Sequence, residues 1–319
     1  MSAGGPVWLL TDAAMDRHHA PGHPERPARR TAVADAVRQV AGVRLVEVAC
    51  REATRDELER VHDTAYLDLL DELDRRGGAW LDADTFLVAG SLHAARLAAG
   101  ATIQAAAAVT KGEAEVAVAA VRPPGHHAAS ARGSGFCLLN NVALAVEGLR
   151  AAGLASRIAI VDWDAHHGDG TQAIFDDDAD LLYASTHQAP FYPGTGRPEN
   201  RGIGPAMGTK HNVPLSPGAG DDAFVSAWTE SLLPALEAFA PQAILVSAGF
   251  DAHRDDPLAN LEVTDDGYGR VARALGGCSA RLHLPGVAIT LEGGYDLVAL
   301  RDSVVATVHG IIDGRSGAS

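Results

Sequence analysis

Short, almost wholly apolar runs alternate with longer Ala/Leu-rich segments from about residue 90 onward. The runs VAVAAV (116–121), RIAIV (157–161), LLYAST (181–186), AILVSA (243–248) and GVAITL (286–291) lack the in–out alternation of a half-exposed sheet. They predict parallel strands covered on both faces. Helices are predicted over residues 91–110, 140–153 and 221–240. The last opens on Asp221 and Asp222, suited to an N-cap and to the positive end of a helix. Residues 189–220, rich in Gly, Pro and Asn, are expected to form a long surface loop, functional or mobile as loops of that length usually are. No Pro/Gly/Ser linker divides the chain, so residues 1–319 are expected to form a single α/β domain.

Four of the predicted strands run straight into polar segments. VAVAAV is followed by RPPGHHA, RIAIV by DWDAHHGDG, AILVSA by GFDAH and GVAITL by EGGYD. In an open parallel sheet the loops at the carboxyl ends of the strands gather at one edge and form the ligand crevice. Four chemically loaded loops are therefore expected to converge there.

Charge and composition narrow the partners. The chain carries 26 Lys and Arg against 41 Asp and Glu, a formal net charge of −15, the wrong sign for holding nucleic acid through its phosphates. Acidity fits a cationic substrate, such as a basic protein tail or a polyamine, and equally the general solubility of a globular protein. Cys50, Cys137 and Cys278 are far apart with no CxxC pair, so neither a disulfide framework nor a thiolate metal site is indicated. The N-terminus lacks a signal-like pattern and no apolar run reaches membrane-spanning length, so a cytoplasmic protein is expected.

The candidate chemistry is dense. In DWDAHHGDG, Asp162, Asp164 and His166 alternate and share one side while the chain is extended. With Asp251, the set Asp164, His166 and Asp251 supplies three protein ligands and leaves a position for water, as a catalytic metal requires. The tandem His126 and His127 can provide a general base and acid for amide hydrolysis, with Asp162 and Asp169 to orient the rings. Tyr295, after two glycines, can aim a phenol at a developing oxyanion.

These blocks resemble the zinc-dependent histone deacetylase superfamily, which also includes acetylpolyamine amidohydrolases and acetoin-utilisation proteins, and are most similar to its class II-like bacterial members. HPERPARR (23–30), VHDTAYLDLL (61–70), LDADT (81–85), GFCLLNNVALA (135–145), FYPGTG (191–196), SAGFDAHRDDPLANLEVT (247–264) and LEGGYDL (291–297) extend the likeness nearly end to end. The resemblance implies an arginase/deacetylase-like fold with a central, mostly parallel sheet of about eight strands flanked by helices. It implies Zn2+ on Asp164, His166 and Asp251, and His127 as base and acid, assisted by His126. It further implies Asp169 and Asp162 as their carboxylate partners, and Tyr295 as the carbonyl-polarising phenol.

For substrate binding the resemblance implies a tunnel past Gly135 and Phe136, with Tyr192 on the opposite wall where a Phe is more usual. Leu258 matches a rim position where polyamine-specialised members carry a Glu. Asp84 matches a rim carboxylate that holds a peptide backbone, with Asp82 as the alternative. A structural K+ is implied beside the zinc, using Asp162, Asp164, His166, Ser185 and Thr186. Arg29 is read either as a channel residue, as in relatives, or as a salt-bridged surface Arg.

The expected activity is metal-dependent removal of an acyl group, most simply acetyl, from an amine, with acetyl-lysine in proteins or peptides as substrate. An acetylpolyamine or another small acylated amine is the alternative. A two-manganese arginase-like hydrolase would leave GHH and GGY without a task, and a non-catalytic acyl-lysine binder would not need every one of these groups. Fe2+ suits the same ligands as Zn2+. Oligomeric state is left open by the sequence, a homo-oligomer being one outcome.

Overall fold

The computed structural model describes residues 5–317. In chain order its strands are β1 (Val7–Leu10), β2 (Leu45–Val48), β3 (Gly78–Trp80), β4 (Phe86–Val88), β5 (Val116–Ala119), β6 (Ile158–Asp162), β7 (Leu181–Gln188), β8 (Lys210–Leu215), β9 (Ala243–Ala248) and β10 (Val287–Leu291). β3 and β4 make a separate antiparallel hairpin, and the other eight form one sheet in the order β2-β1-β5-β10-β9-β6-β7-β8. Every pairing in that sheet is parallel. The single α/β domain with an eight-stranded parallel sheet is the architecture the apolar runs and the resemblance predict.

Both faces of the sheet are buried at its central strands, which is why these read as apolar throughout. Val116 and Val118 face a core shared with the helices Pro27–Gln39, Asp265–Arg281 and Leu297–Gly317. Their neighbours Ala117 and Ala119 face the opposite core, against Ser91–Thr110 and Asn141–Ala151. The small residues of β5 let the Ala-rich helix Ser91–Thr110 lie close to the sheet.

Two elements depart from the expectations. The segment 189–220 is not all loop, because β8 lies inside it and pairs with β7. Its sequence KHNVPL carries polar residues and a proline, tolerable at a sheet edge where one side needs no partner. The helix expected over 221–240 contains a wide turn over Ala227–Leu232, where the Leu233 N–H reaches back to Trp228 O. Pro234 follows, and its missing N–H cannot continue the regular ladder. Asp221 is not the cap either: Gly220 holds that position. The Asp221 carboxylate instead accepts from Thr264 N and Oγ1, each at 2.7 Å, tying down the start of the next helix.

One feature of the topology builds the site. β5, β10, β9 and β6 are four contiguous strands at the centre of the sheet. The four polar segments that follow them therefore emerge side by side.

Candidate active site

Three carboxylate and imidazole groups meet where β6 and β9 end. Ligand atoms of Asp164, His166 and Asp251 all lie within 4.8 Å of one another. His166 Nδ1 is 3.0 Å from Asp164 Oδ1 and 2.9 Å from Asp251 Oδ2. Asp251 Oδ1 accepts from Ala165 N at 2.8 Å, and Asp164 Oδ2 from Gly293 N at 2.8 Å, so the backbone orients both carboxylates. A Cβ on Gly293 would come 2.3 Å from Asp251 Oδ2, which explains a glycine immediately after Glu292.

The electrostatics call for a cation. Burial and the charge of Asp164 push the Asp251 carboxyl up. Burial would depress the His166 imidazole, yet its bonds to Asp164 and Asp251 carry it to about 10. A positive charge is thus strongly favoured between the two buried carboxylates. A divalent ion on a neutral imidazole satisfies the same one-nitrogen, two-oxygen donor set, so the residues present fit a metal.

The tandem imidazoles sit against this triad in unlike surroundings. His126 Nδ1 meets Asp162 Oδ2 at 3.1 Å, and the same oxygen accepts from Tyr183 Oη at 2.9 Å. Burial would lower His126, but Asp162 and Asp164 outweigh it and hold it well above the usual histidine range. His127 Nδ1 meets Asp169 Oδ1 at 2.8 Å. Burial and the neighbouring His126 charge drive it down to about 3 despite Asp169. The two rings are 4.1 Å apart between centroids, one disposed to be charged and one neutral.

A cavity of about 250 Å3 opens over these groups and is lined by Asp84, Gly135, Phe136, His126, His127, Asp164, His166, Tyr192, Leu258 and Tyr295, with Pro124 and Gly293. The Phe136 ring meets the Tyr295 ring edge-on at 5.9 Å, and the Tyr192 ring meets His127 at 5.2 Å. Gly135 has φ +54, and a Cβ there would lie 2.3 Å from His127 Cδ2. Phe191 stacks on His166 at 4.9 Å, a contact the sequence did not suggest. The choice between the two rim carboxylates is decided by a turn. Asp82 Oδ1 accepts from Asp84 N and Thr85 N at 3.0 and 2.6 Å, whereas Asp84 borders the cavity.

Ser185 and Thr186 lie on β7 beside the site and do not border the cavity. Ser185 is in register with Asp162 across the β6–β7 ladder. Its hydroxyl meets His187 Nδ1 at 2.9 Å, and Thr186 Oγ1 accepts from Trp228 Nε1 at 3.1 Å. His187, without a role in the sequence reading, is buried and also reaches Gly196 O at 2.9 Å, anchoring the loop that carries Phe191 and Tyr192.

Behind the cavity lies a buried polar network that the sequence did not reveal. Glu292 Oε2 accepts from Gly125 N at 2.6 Å and His126 N at 3.1 Å, and Oε1 from Ser247 Oγ at 3.0 Å. Burial pushes this carboxyl up to about 7. Arg122 makes a two-pronged contact with Glu25 at 2.9 and 2.6 Å. Glu25 also meets Arg29 at 3.3 Å. Arg29 is therefore no surface residue: it is fully buried, donates to Gly294 O at 2.5 Å and to Glu292 O, and packs 4.7 Å over the Tyr295 ring. The only sequence signal for Glu292 was its place directly after a strand, shared with the other site loops.

Comparison with known proteins identifies the family and the fold. Residues 23–311 match the family model described as the histone deacetylase domain. Across 95% of its length the chain is 42% identical to a probable deacetylase of Archaeoglobus fulgidus, covering 84% of that protein. Among solved structures, the HDA15 HD domain superposes with a TM-score of 0.90 at 37% identity, over 97% of this chain and 88% of that one. An acetylpolyamine aminohydrolase from Burkholderia pseudomallei superposes with a TM-score of 0.87 at 31% identity, over 96% of this chain and 98% of that one.

Proposed function

The chain belongs to the histone deacetylase family of metal-dependent amide hydrolases, and we propose that within it this protein removes acetyl groups from lysine side chains of peptides or proteins. The observation that carries the substrate choice is Leu258 at the cavity, whose apolar side chain offers no charge to a second amine at that position. Asp84, which borders the same cavity, takes in this proposal the role of accepting a peptide backbone N–H.

In this reading Asp164, His166 and Asp251 hold zinc, with ferrous iron the alternative for the same donors. When bound, the ion supplies Lewis acidity to the attacking water and the amide carbonyl. His127, neutral and held through Nδ1 by Asp169, takes a proton from that water and returns it to the departing amine nitrogen as the C–N bond breaks. His126, kept charged by Asp162, adds a fixed positive field and keeps its neighbour neutral. Tyr295 donates its phenolic O–H to the carbonyl oxygen as negative charge develops there. Phe136 and Tyr192 flank the acyl-lysine stem above Gly135. The structural potassium belongs to the same proposal, on Asp162, Asp164, His166, Ser185 and Thr186, supported by the Asp162–Ser185 register across β6 and β7.

The polyamine reading has its own support: Asp84 puts a carboxylate at the cavity with Asp82 two residues away in the same turn, and an acetylpolyamine aminohydrolase shares the fold. One matched panel separates the two. Amine release by the zinc-loaded protein is measured on acetyl-lysine peptides, longer acyl-lysine peptides, acetylputrescine and acetylspermidine. Higher kcat/KM on the peptides is expected; a preference for the polyamines transfers the gating role to Asp82 or Asp84.

A further inference from the structure

The peptide group joining Gly294 to Tyr295 is gripped from both sides. Its carbonyl accepts from Arg29 Nε at 2.5 Å, and its N–H donates to Asp256 Oδ2 at 2.7 Å. Both gripping side chains are buried. Gly294 has φ +113, so the chain turns sharply at this unit, and the phenol of Tyr295 follows immediately. The second oxygen of Asp256, Oδ1, accepts from Leu258 N at 2.9 Å. One carboxylate therefore holds the backbone of two residues that line the cavity, one at its floor and one at its mouth.

We propose that Asp256 is a positioning residue that fixes the Tyr295 phenol for the reaction and locks it to the rim at Leu258. The inference rests on the reading of Tyr295 as the carbonyl-polarising group. Asp256 touches neither substrate nor metal ligand in this role; it acts through the Tyr295 backbone. A carboxylate suits the task because both of its oxygens accept, facing the N–H groups of Tyr295 and Leu258 and that of the neighbouring Asp296. An amide of the same shape offers one, and must turn its NH2 against either Tyr295 or Leu258. A phenol displaced by a fraction of an ångström loses much of its value in the transition state, since misplacement of about 1 Å costs on the order of a hundredfold.

The test is a double-mutant cycle on the metal-loaded enzyme with Asp256→Asn, Tyr295→Phe and the pair, reading kcat, KM and bound metal. Asp256→Asn is expected to lower kcat by roughly tens of fold with little change in KM or metal content. In the Tyr295→Phe background the same substitution should have almost no further effect on kcat, because the group it positions is gone. An equal loss in both backgrounds, or a change confined to KM, would overturn the proposal and leave Asp256 as a turn-forming residue. Wild-type kcat in Tyr295→Phe alone would remove the reading of Tyr295 instead, and the inference with it. Asp256→Glu retains both acceptor oxygens one methylene further out. It should recover part of the kcat lost in Asp256→Asn, and it takes that variant's place in the cycle if the amide does not fold.

Discussion

The floor and the mouth of the cavity are built on opposite principles. At the floor, Asp164, Asp251, Glu292 and Arg29 are almost wholly buried, and nearly every polar atom is assigned to a backbone or side-chain partner. At the mouth, Tyr192 is 45% exposed, and Asp84 and Leu258 stand on short turns. Buried charges persist only when paired or hydrogen-bonded, so a floor of this kind tolerates little change and keeps one chemistry. A solvated rim is worth little energy per contact, so it can change substrate without disturbing the fold.

The strongest challenge to that contrast is removal of a proposed metal ligand. Asp251→Ala should abolish bound metal and lower amine release by on the order of 10^3-fold or more, because water activation and carbonyl polarisation are lost together. Metal analysis of the purified protein beside a kcat assay checks it, and a variant that kept its metal and its activity would remove Asp251 from the ligand set.

Next in size is the acid sensitivity of the packing that backs the floor. His62 is buried, meets Ala129 O at 3.1 Å and accepts from Asn140 N at 3.0 Å, and burial lowers it to about 4. Its folded value lies below the unfolded 6.5, so the unfolded chain takes up the proton first as pH falls. The stability this neutral ring contributes is complete above pH 6.5 and is lost progressively toward pH 4, by about 3 kcal/mol at 1.36 kcal/mol per unit. Thermal midpoints across that range should fall more steeply for the wild type than for His62→Gln.

Glu292→Gln should follow. The amide must face one of three donors now satisfied by the carboxylate, costing about 1–3 kcal/mol of stability and roughly tenfold in kcat through the displaced GHH loop. A calorimetric melt and a kcat measurement on one sample test both; an unchanged kcat would confine Glu292 to stability.

The smallest effect belongs to the mouth. Leu258→Glu should shift the ratio of kcat/KM toward acetylated polyamines by about fivefold, the equivalent of about 1 kcal/mol for an exposed ion pair, while leaving the melting temperature nearly unchanged. A large stability loss would show that the rim is less independent of the floor than the contrast holds.

Much of the site was legible along the chain because ligands of one loop are close in sequence. DWDAHHGDG carries two of the three proposed metal ligands and the two carboxylates that meet the tandem histidines within nine residues, directly after an apolar run long enough to be read as a strand. The pairing of His126 with Asp162 and His127 with Asp169 came from the resemblance, and both contacts are present in the structure. The strands β1 and β2 and the polar edge strand β8 were not predicted: β2 carries an exposed Glu47 within a short run, and β8 is polar and contains a proline.

The sequence by itself determined a metal-type donor set, an α/β alternation and the strand ends that would carry the chemistry. Tertiary structure alone decided that β5, β10, β9 and β6 lie side by side, that Asp84 rather than Asp82 borders the cavity, and that Arg29 is interior. It also decided that Glu292, Glu25 and Arg122 form one buried network. The reason is physical: residue type and local spacing specify which atoms a loop can offer. Whether a charge is buried, and against which partner 97 or 265 residues away, depends on how the sheet brings distant segments together.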